Sequence, residues 1–184
     1  EYGFGDKSSL YPASRGRVMQ ITEKLMSRLI RPDMKGSPSP DLAVSWSANS
    51  QAPEWTLKLR DGVKFHDGSA FDSGDVIYTF YRVLNPENKS PARSAIKMIE
   101  KMEAPDKSTV TFKLSTPFAD LPLQLMDYRL RIIPEGSGDS IAASGIGTGP
   151  FKLVKFDAAG TTKLEANMDY WEGAPGVANM EIIG

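Results

Sequence analysis

Along the 184-residue chain the spacing of apolar positions changes several times, and each change predicts an element. From Arg17 onward Val18, Ile21, Leu25 and Leu29 recur at three- and four-residue steps. They share one face of a helix that Pro32 is expected to stop. Lys35-Gly36-Ser37-Pro38-Ser39-Pro40 reads as a turn or extended connector. Trp55, Leu57 and Leu59 alternate with polar neighbours, which is strand period. Asp61-Gly62 supplies a tight reversal, Val63 and Phe65 a returning strand, and Asp67-Gly68 a second turn. Asp72 or Ser73 suits the N-cap of the next helix, and Asp75 places negative charge near its positive end. Val76, Ile77, Phe80, Val83 and Leu84 form its apolar side, and Asn85-Pro86 ends it.

Beyond that helix the pattern predicts a short one over 92–102, with Ile96 and Ile99 inward, and a strand at Val110, Phe112 and Leu114. Ser115-Thr116-Pro117 reads as a cap and first-turn proline of a helix running through Leu121 and Leu125. Residues 130–134 read as extended, 135–147 as a flexible crossing rich in Gly, Ser and Ala, 151–156 and 161–166 as a hairpin, and 180–183 as one more strand. Strands and helices mix without strict alternation, so the expected class is α/β or mixed α+β.

Composition narrows the function classes. Hydrophobic residues make up 40% of the chain, charged residues 24%, and the net charge is −1. No basic excess points to nucleic acid or to a membrane surface, and no apolar run approaches the ~20 residues that span a bilayer. The start Glu1-Tyr2-Gly3-Phe4-Gly5 contains no recognisable signal peptide and reads as either a cytosolic start without its methionine or a processed, trimmed one. Without cysteine there is no thiolate catalysis, disulfide or cysteine metal site. That fits an oxidising compartment, where stray thiols would mispair.

Candidate chemistry centres on a few groups. His66 is the single histidine and the obvious general base. It sits between Phe65 and an Asp-Gly turn, where an imidazole can satisfy turn backbone groups instead, and no serine lies in a nucleophile elbow. Gly145-Ile146-Gly147-Thr148-Gly149-Pro150 lacks the spacing and following helix of a phosphate loop and reads as a hinge between two bodies. Arg129 and Arg131 would share a face if their segment is a strand, and two guanidiniums on one face hold a carboxylate well. The competing reading is a pair of solvated surface arginines. Trp46, Trp55 and Trp171 read as core or edge packing rather than a stacking platform. Nothing in the pattern calls for a cofactor or a metal.

The run Leu59-Arg60-Asp61-Gly62-Val63-Lys64-Phe65-His66-Asp67-Gly68, followed by Asp75-Val76 at the helix entry, resembles the signature of the family 5 extracellular solute-binding proteins of ABC importers. Three further segments agree in order: Ser9-Leu10-Tyr11-Pro12 (Tyr11 standing where the family carries aspartate), Gly147-Thr148-Gly149-Pro150-Phe151, and Asn167-Met168-Asp169-Tyr170-Trp171. The resemblance implies a type II periplasmic-binding-protein-like first lobe with an inserted subdomain. Residues 1–30 and 140–184 would belong to the lobe and 31–139 to the insertion. Family members are considerably longer, so the second lobe is expected to be absent and the chain to be an N-terminal fragment that folds but holds solute weakly.

The implied function is non-enzymatic. A peptide or other small solute is captured between two lobes in the periplasm, or outside a Gram-positive cell, and handed to a membrane permease. Nickel complexes, opines and oligosaccharides are the alternative ligands within the family. A hydrolase using His66 with carboxylates is the alternative from another class. Ser14, Arg15, Gly16 and Arg17 are expected to line the cleft because they follow the Ser9–Pro12 match and precede the first helix. Arg129 and Arg131, with Thr148 and Gly149, complete the candidate set.

Overall fold

The structure is a computed structural model and describes residues 16–50 and 52–183. Two buried apolar clusters organise it. The first is built around a four-stranded antiparallel sheet of β3 (Ala43–Ala48), β4 (Glu54–Leu59), β5 (Ile99–Asp106) and β6 (Thr109–Leu114), in the order β3-β4-β6-β5. Alternation puts Trp55, Leu57 and Leu59 of β4 on the inner face, with Val110, Phe112 and Leu114 of β6 buried alongside. Across the pair Trp55 stands opposite Phe112 and Leu57 opposite Val110.

Helix α2 (Ser73–Leu84) packs on β5 and β6 through Val76, Phe80 and Val83, and the Phe80 ring stacks on Phe112 with centroids 5.0 Å apart. Its start is fixed by a reciprocal capping box. The Asp72 carboxylate accepts from the Gly74 N–H at 2.8 Å, and the Asp75 carboxylate accepts from the Asp72 N–H at 2.9 Å. A small hairpin of β1 (Ile30–Pro32) and β2 (Pro38–Pro40) lies at the edge of this body.

The second cluster comes from both ends of the chain. Helix α1 (Arg17–Leu25) packs on β7 (Phe151–Lys155), which pairs with β8 (Thr162–Ala166), itself paired with β9 (Asn179–Ile182). Val18, Ile21, Leu25 and Met26 meet Ile133, Ile141, Phe151 and Leu164 there. The two cores join along extended segments. The Ile132 N–H donates to Ser27 O at 3.0 Å, and the Leu42 and Ala43 N–H groups donate to Arg28 O and Leu29 O. Thr79 of α2 ties in the same seam, its hydroxyl accepting from the Ile133 N–H at 3.1 Å.

Several expectations change. Helix α1 ends at Leu25 rather than near Pro32. Met26 is already extended, and the Leu25 carbonyl is taken by the Gly149 N–H at 2.9 Å. Leu29 is buried, but on the extended seam. Val63 and Phe65 do not return along β4, whose edges belong to β3 and β6. That segment folds on itself around Asp67-Gly68, with the Phe71 N–H donating to Val63 O and the Phe65 N–H to Ser69 O.

The helix expected over 92–102 is only α3 (Arg93–Ile96), because Ile99 onward pairs with β6. Thr116-Pro117 open no helix; α4 (Leu121–Gln124) starts after Asp120. The crossing 135–147 contains one further turn of helix, α5 (Ile141–Ser144). Residues 130–134 join no sheet and Arg129 lies in a turn, so the shared strand face expected for the two arginines does not form.

Candidate functional site

Gly147-Thr148-Gly149 is the backbone joint of the site. Both glycines press against the end of α1. A Cβ on Gly147 would lie 2.2 Å from Leu25 O and one on Gly149 2.4 Å from Lys24 O. Neither glycine has positive φ, so both are required for close approach rather than for bending.

His66 holds the same strip. Its Nδ1 accepts from the Gly147 N–H at 3.2 Å, its Nε2 donates to Gly149 O at 3.0 Å, and its own N–H donates to Gly147 O at 2.9 Å. This pattern requires the neutral Nε2–H tautomer, and burial correspondingly holds the imidazole below its ordinary pKa. Both ring nitrogens are occupied by backbone, so the imidazole acts as a clamp. The buried Asn167 amide donates to the same Gly149 carbonyl at 3.0 Å.

Directly beside this joint, at the seam of the two cores, lies a polar cavity of about 350 Å³. Its wall carries Glu23, Lys24, Arg28, Arg31, Asp41 and Arg131, with Met26, Pro150 and Tyr170 among the rest. Arg131 is 4% exposed. It donates to Met26 O and Tyr128 O at 2.9 and 2.8 Å and reaches Glu23 only at 3.4 Å. Burial, reinforced by the neighbouring Arg28 charge, pulls its pKa down to about 10, so it remains a cation at neutral pH. Arg28 is half-buried and also lowered by burial; one terminal nitrogen donates to Met126 O at 2.7 Å, while its buried Nε finds no partner among the described residues. Asp41 is buried, accepts from the Arg28 backbone N–H at 2.9 Å, and is raised by burial above the ordinary carboxylate range.

At the rim Arg31 makes a two-pronged pair with Glu172 at 2.9 and 2.6 Å, and the Tyr170 hydroxyl donates to the same carboxylate at 3.2 Å. That hydrogen-bonded pairing raises Arg31 and lowers Glu172. Two guanidiniums approach the Trp171 ring, Arg60 at 4.2 Å and Arg31 at 5.9 Å from its centroid.

The sequence candidates separate on this map. Arg131 lines the cavity. Arg129 does not: its guanidinium pairs with Asp127 and donates to Pro91 O at 2.8 Å. Arg17 is turned to the β7–β8 connection, where it donates to Asp157 O, Ala158 O and Gly160 O and to Ile182 O of β9. Gly16 caps α1 with φ 63°. Thr148 is fully buried and Gly149 is bonded on both sides, so both support the joint from behind. Ser14 and Arg15 lie outside the described residues, as does the Ser9–Pro12 match.

Glu23, Arg28, Arg31 and Asp41 were not read from sequence as site residues. The available signal was two arginines three apart, flanking the apolar pair Leu29-Ile30. Trp55, read as packing, is buried and donates to Phe118 O at 3.1 Å, and Trp46 packs against the first core. Among the described residues no helix is long and apolar enough to cross a membrane, and no three His, Asp or Glu side chains gather as metal ligands.

This mixed α/β arrangement is the periplasmic-binding-protein fold. AgaA from A. tumefaciens R10, solved with agropinic acid, superposes with a TM-score of 0.89 at 29% identity, over 97% of this chain and 38% of that one. DppA from Helicobacter pylori, solved with the peptide STSA, gives 0.85 at 25% identity over 98% and 41%.

Residues 37–183 match the model of the bacterial extracellular solute-binding proteins, family 5, and the chain belongs to that family. Di/tripeptide-binding protein 2 of Pseudomonas aeruginosa is 30% identical over 167 residues, covering 77% of this chain and 31% of the relative's length. The chain thus spans about a third of the relatives it matches.

Proposed function

We propose that the chain is the ligand-facing part of a solute-binding receptor that serves an ABC importer from the periplasm or the outer cell surface, and that its solute is a peptide. The observation that carries the reading is the polar, arginine-walled cavity at the seam of two cores in a chain of this family. Residues 1–30 and 140–184 form one body of the receptor and 31–139 the body inserted in it. The two apolar clusters, drawn from 29–132 and from the flanking segments, support that division. Arg131 is the sequence candidate on the cavity wall. No covalent step is involved. Binding draws together the parts that flank the solute, and the closed form docks on a membrane permease.

Peptide names among the relatives favour a peptide over a nickel complex, an opine or an oligosaccharide. The His66 hydrolase alternative gains no support, since both ring nitrogens are bonded to backbone. The test is calorimetry with a di- and tripeptide library on a receptor carrying this chain joined to its second lobe. Micromolar or tighter binding, unchanged in a His66→Gln variant, is expected. Turnover of any peptide, or binding that vanishes with His66→Gln while the fold persists, overturns the reading.

A further inference from the structure

We propose that Asp61-Gly62 is a site of spontaneous covalent modification, passing through a cyclic imide to isoaspartate, and that the fold shields the second such pair, Asp67-Gly68, from the same reaction. In the first step the Gly62 amide nitrogen attacks the carboxyl carbon of the protonated Asp61 side chain. A C–N bond forms, the amide proton and the carboxyl hydroxyl leave together as water, and a five-membered succinimide results. Water then adds to a ring carbonyl. Opening at the main-chain carbonyl returns a proton to the nitrogen and frees a carboxylate there. The chain now runs through the Asp61 side-chain carbonyl and is one methylene longer. The reaction consumes and releases only water.

The two pairs share a dipeptide and differ in what the fold does with the reacting atoms. Both lie exposed in turns, and both glycines have positive φ, 72° at Gly62 and 89° at Gly68, with open space around them. At Asp67 the nucleophile and the electrophile are both occupied. The Gly68 N–H donates to Phe65 O at 2.9 Å, and one Asp67 oxygen accepts from the Ser69 hydroxyl at 2.7 Å and the Ser69 N–H at 3.0 Å. Those two bonds also hold the Asp67 carboxyl below its ordinary pKa, and a carboxylate anion is the poorer electrophile. At Asp61 the atoms are freer. The Gly62 N–H makes no hydrogen bond among the described residues, and the carboxylate is held by one rotatable hydroxyl, Ser108 at 2.7 Å. The pair joins β4 to the segment that carries His66. Just before it the Arg60 N–H donates to Leu42 O and the Leu59 N–H to Ser108 O, so the added methylene falls between a fixed strand end and the His66 clamp.

The test ages the unsubstituted chain at physiological temperature and neutral pH, folded in buffer and, in parallel, unfolded in guanidinium chloride. Peptide mapping with electron-transfer fragmentation, which distinguishes isoaspartate from aspartate by cleavage beside the inserted methylene, follows both pairs in time. The ratio of the Asp61 rate to the Asp67 rate is compared between the two samples, so that intrinsic effects of the flanking residues cancel. Folding is expected to raise this ratio by about fivefold, the worth of the one hydrogen bond that Gly68 must give up before it can attack. A ratio that folding leaves unchanged or lowers overturns the proposal. So does a folded chain that forms no isoaspartate at Asp61 by the time the unfolded chain has converted. Because no substitution is involved, a misfolded variant does not spare the proposal.

Discussion

Replacing His66 by alanine tests the clamp on which the site stands. The substitution removes the acceptor of the Gly147 N–H and one of two donors to the Gly149 carbonyl. Gly147 is buried, so its N–H is left without an acceptor, at about 1–3 kcal/mol. The Gly149 carbonyl keeps the Asn167 amide, so its loss is nearer ~1 kcal/mol. His66→Ala is therefore expected to destabilise the fold by about 2–4 kcal/mol, a drop in Tm of roughly 4–16 °C for a chain of this size. His66→Gln retains one acceptor and one donor and should lose less.

The pH dependence has a definite sign. Burial lowers the folded-state pKa of His66, so at intermediate pH the unfolded chain binds the extra proton. Stability is full above the unfolded value of about 6.5, falls by up to ~1.4 kcal/mol per pH unit below it, and levels off beneath the folded value. His66 is the only histidine, so its contribution to the slope below about pH 6.5 should vanish in His66→Gln. Urea unfolding followed by circular dichroism reads both effects. A loss under about 0.5 kcal/mol in His66→Ala, or parallel pH profiles for the parent and His66→Gln, would refute the reasoning.

Other perturbations follow from the same geometry. Gly147→Ala drives a Cβ into the Leu25 carbonyl and should cost about 3 kcal/mol or more. Gly62→Ala, at φ 72° in open space, should cost only ~1 kcal/mol, and equal losses in denaturant melts would contradict the close-approach account. Asp72→Ala breaks the capping box of α2 and should cost about 1–2 kcal/mol, with amide exchange rising first at Gly74 and Asp75. A double-mutant cycle on Arg31 and Glu172, whose side chains are 37% and 44% exposed, should return a coupling below about 1 kcal/mol that shrinks with salt; a larger, salt-insensitive coupling would mean the pair is far less solvated than its exposure indicates.

What could be read from the sequence was whatever local chemistry decides. The caps of α2 and the alternation of β4 and β6 were legible because Asp72, Asp75 and the period of Trp55, Leu57 and Leu59 act over a few residues. Strand β5 was not. Ile96, Ile99 and Met102 are spaced three apart as on a helix, and only pairing with β6 settles the conformation beyond Ile99. Strand β3 gave no alternating signal, since Val44 points outward and Ser and Ala fill most of the rest. The cavity was the least legible part. Arg131 meets Glu23 across 108 residues of chain, and Asp41 serves Arg28 across 13, so nothing local distinguishes these arginines from solvated ones.

The way the second core draws on both ends of the chain has a kinetic consequence. Leu25 and Phe151 meet in that core, but every residue of the first core lies between them in sequence. Joining them through an unfolded connector means closing a loop of over ~100 residues before any packing is gained. Once the first core has condensed, residues 26–30 and 130–133 already run side by side through the Ile132–Ser27 hydrogen bond, and the effective loop shrinks to roughly 20 residues. Assembly should therefore be sequential, with the contiguous core acting as template for the discontinuous one. In pulsed hydrogen exchange during refolding the amides of Leu57 and Phe112 should gain protection before that of Leu164; simultaneous protection would show that closure does not wait for the template.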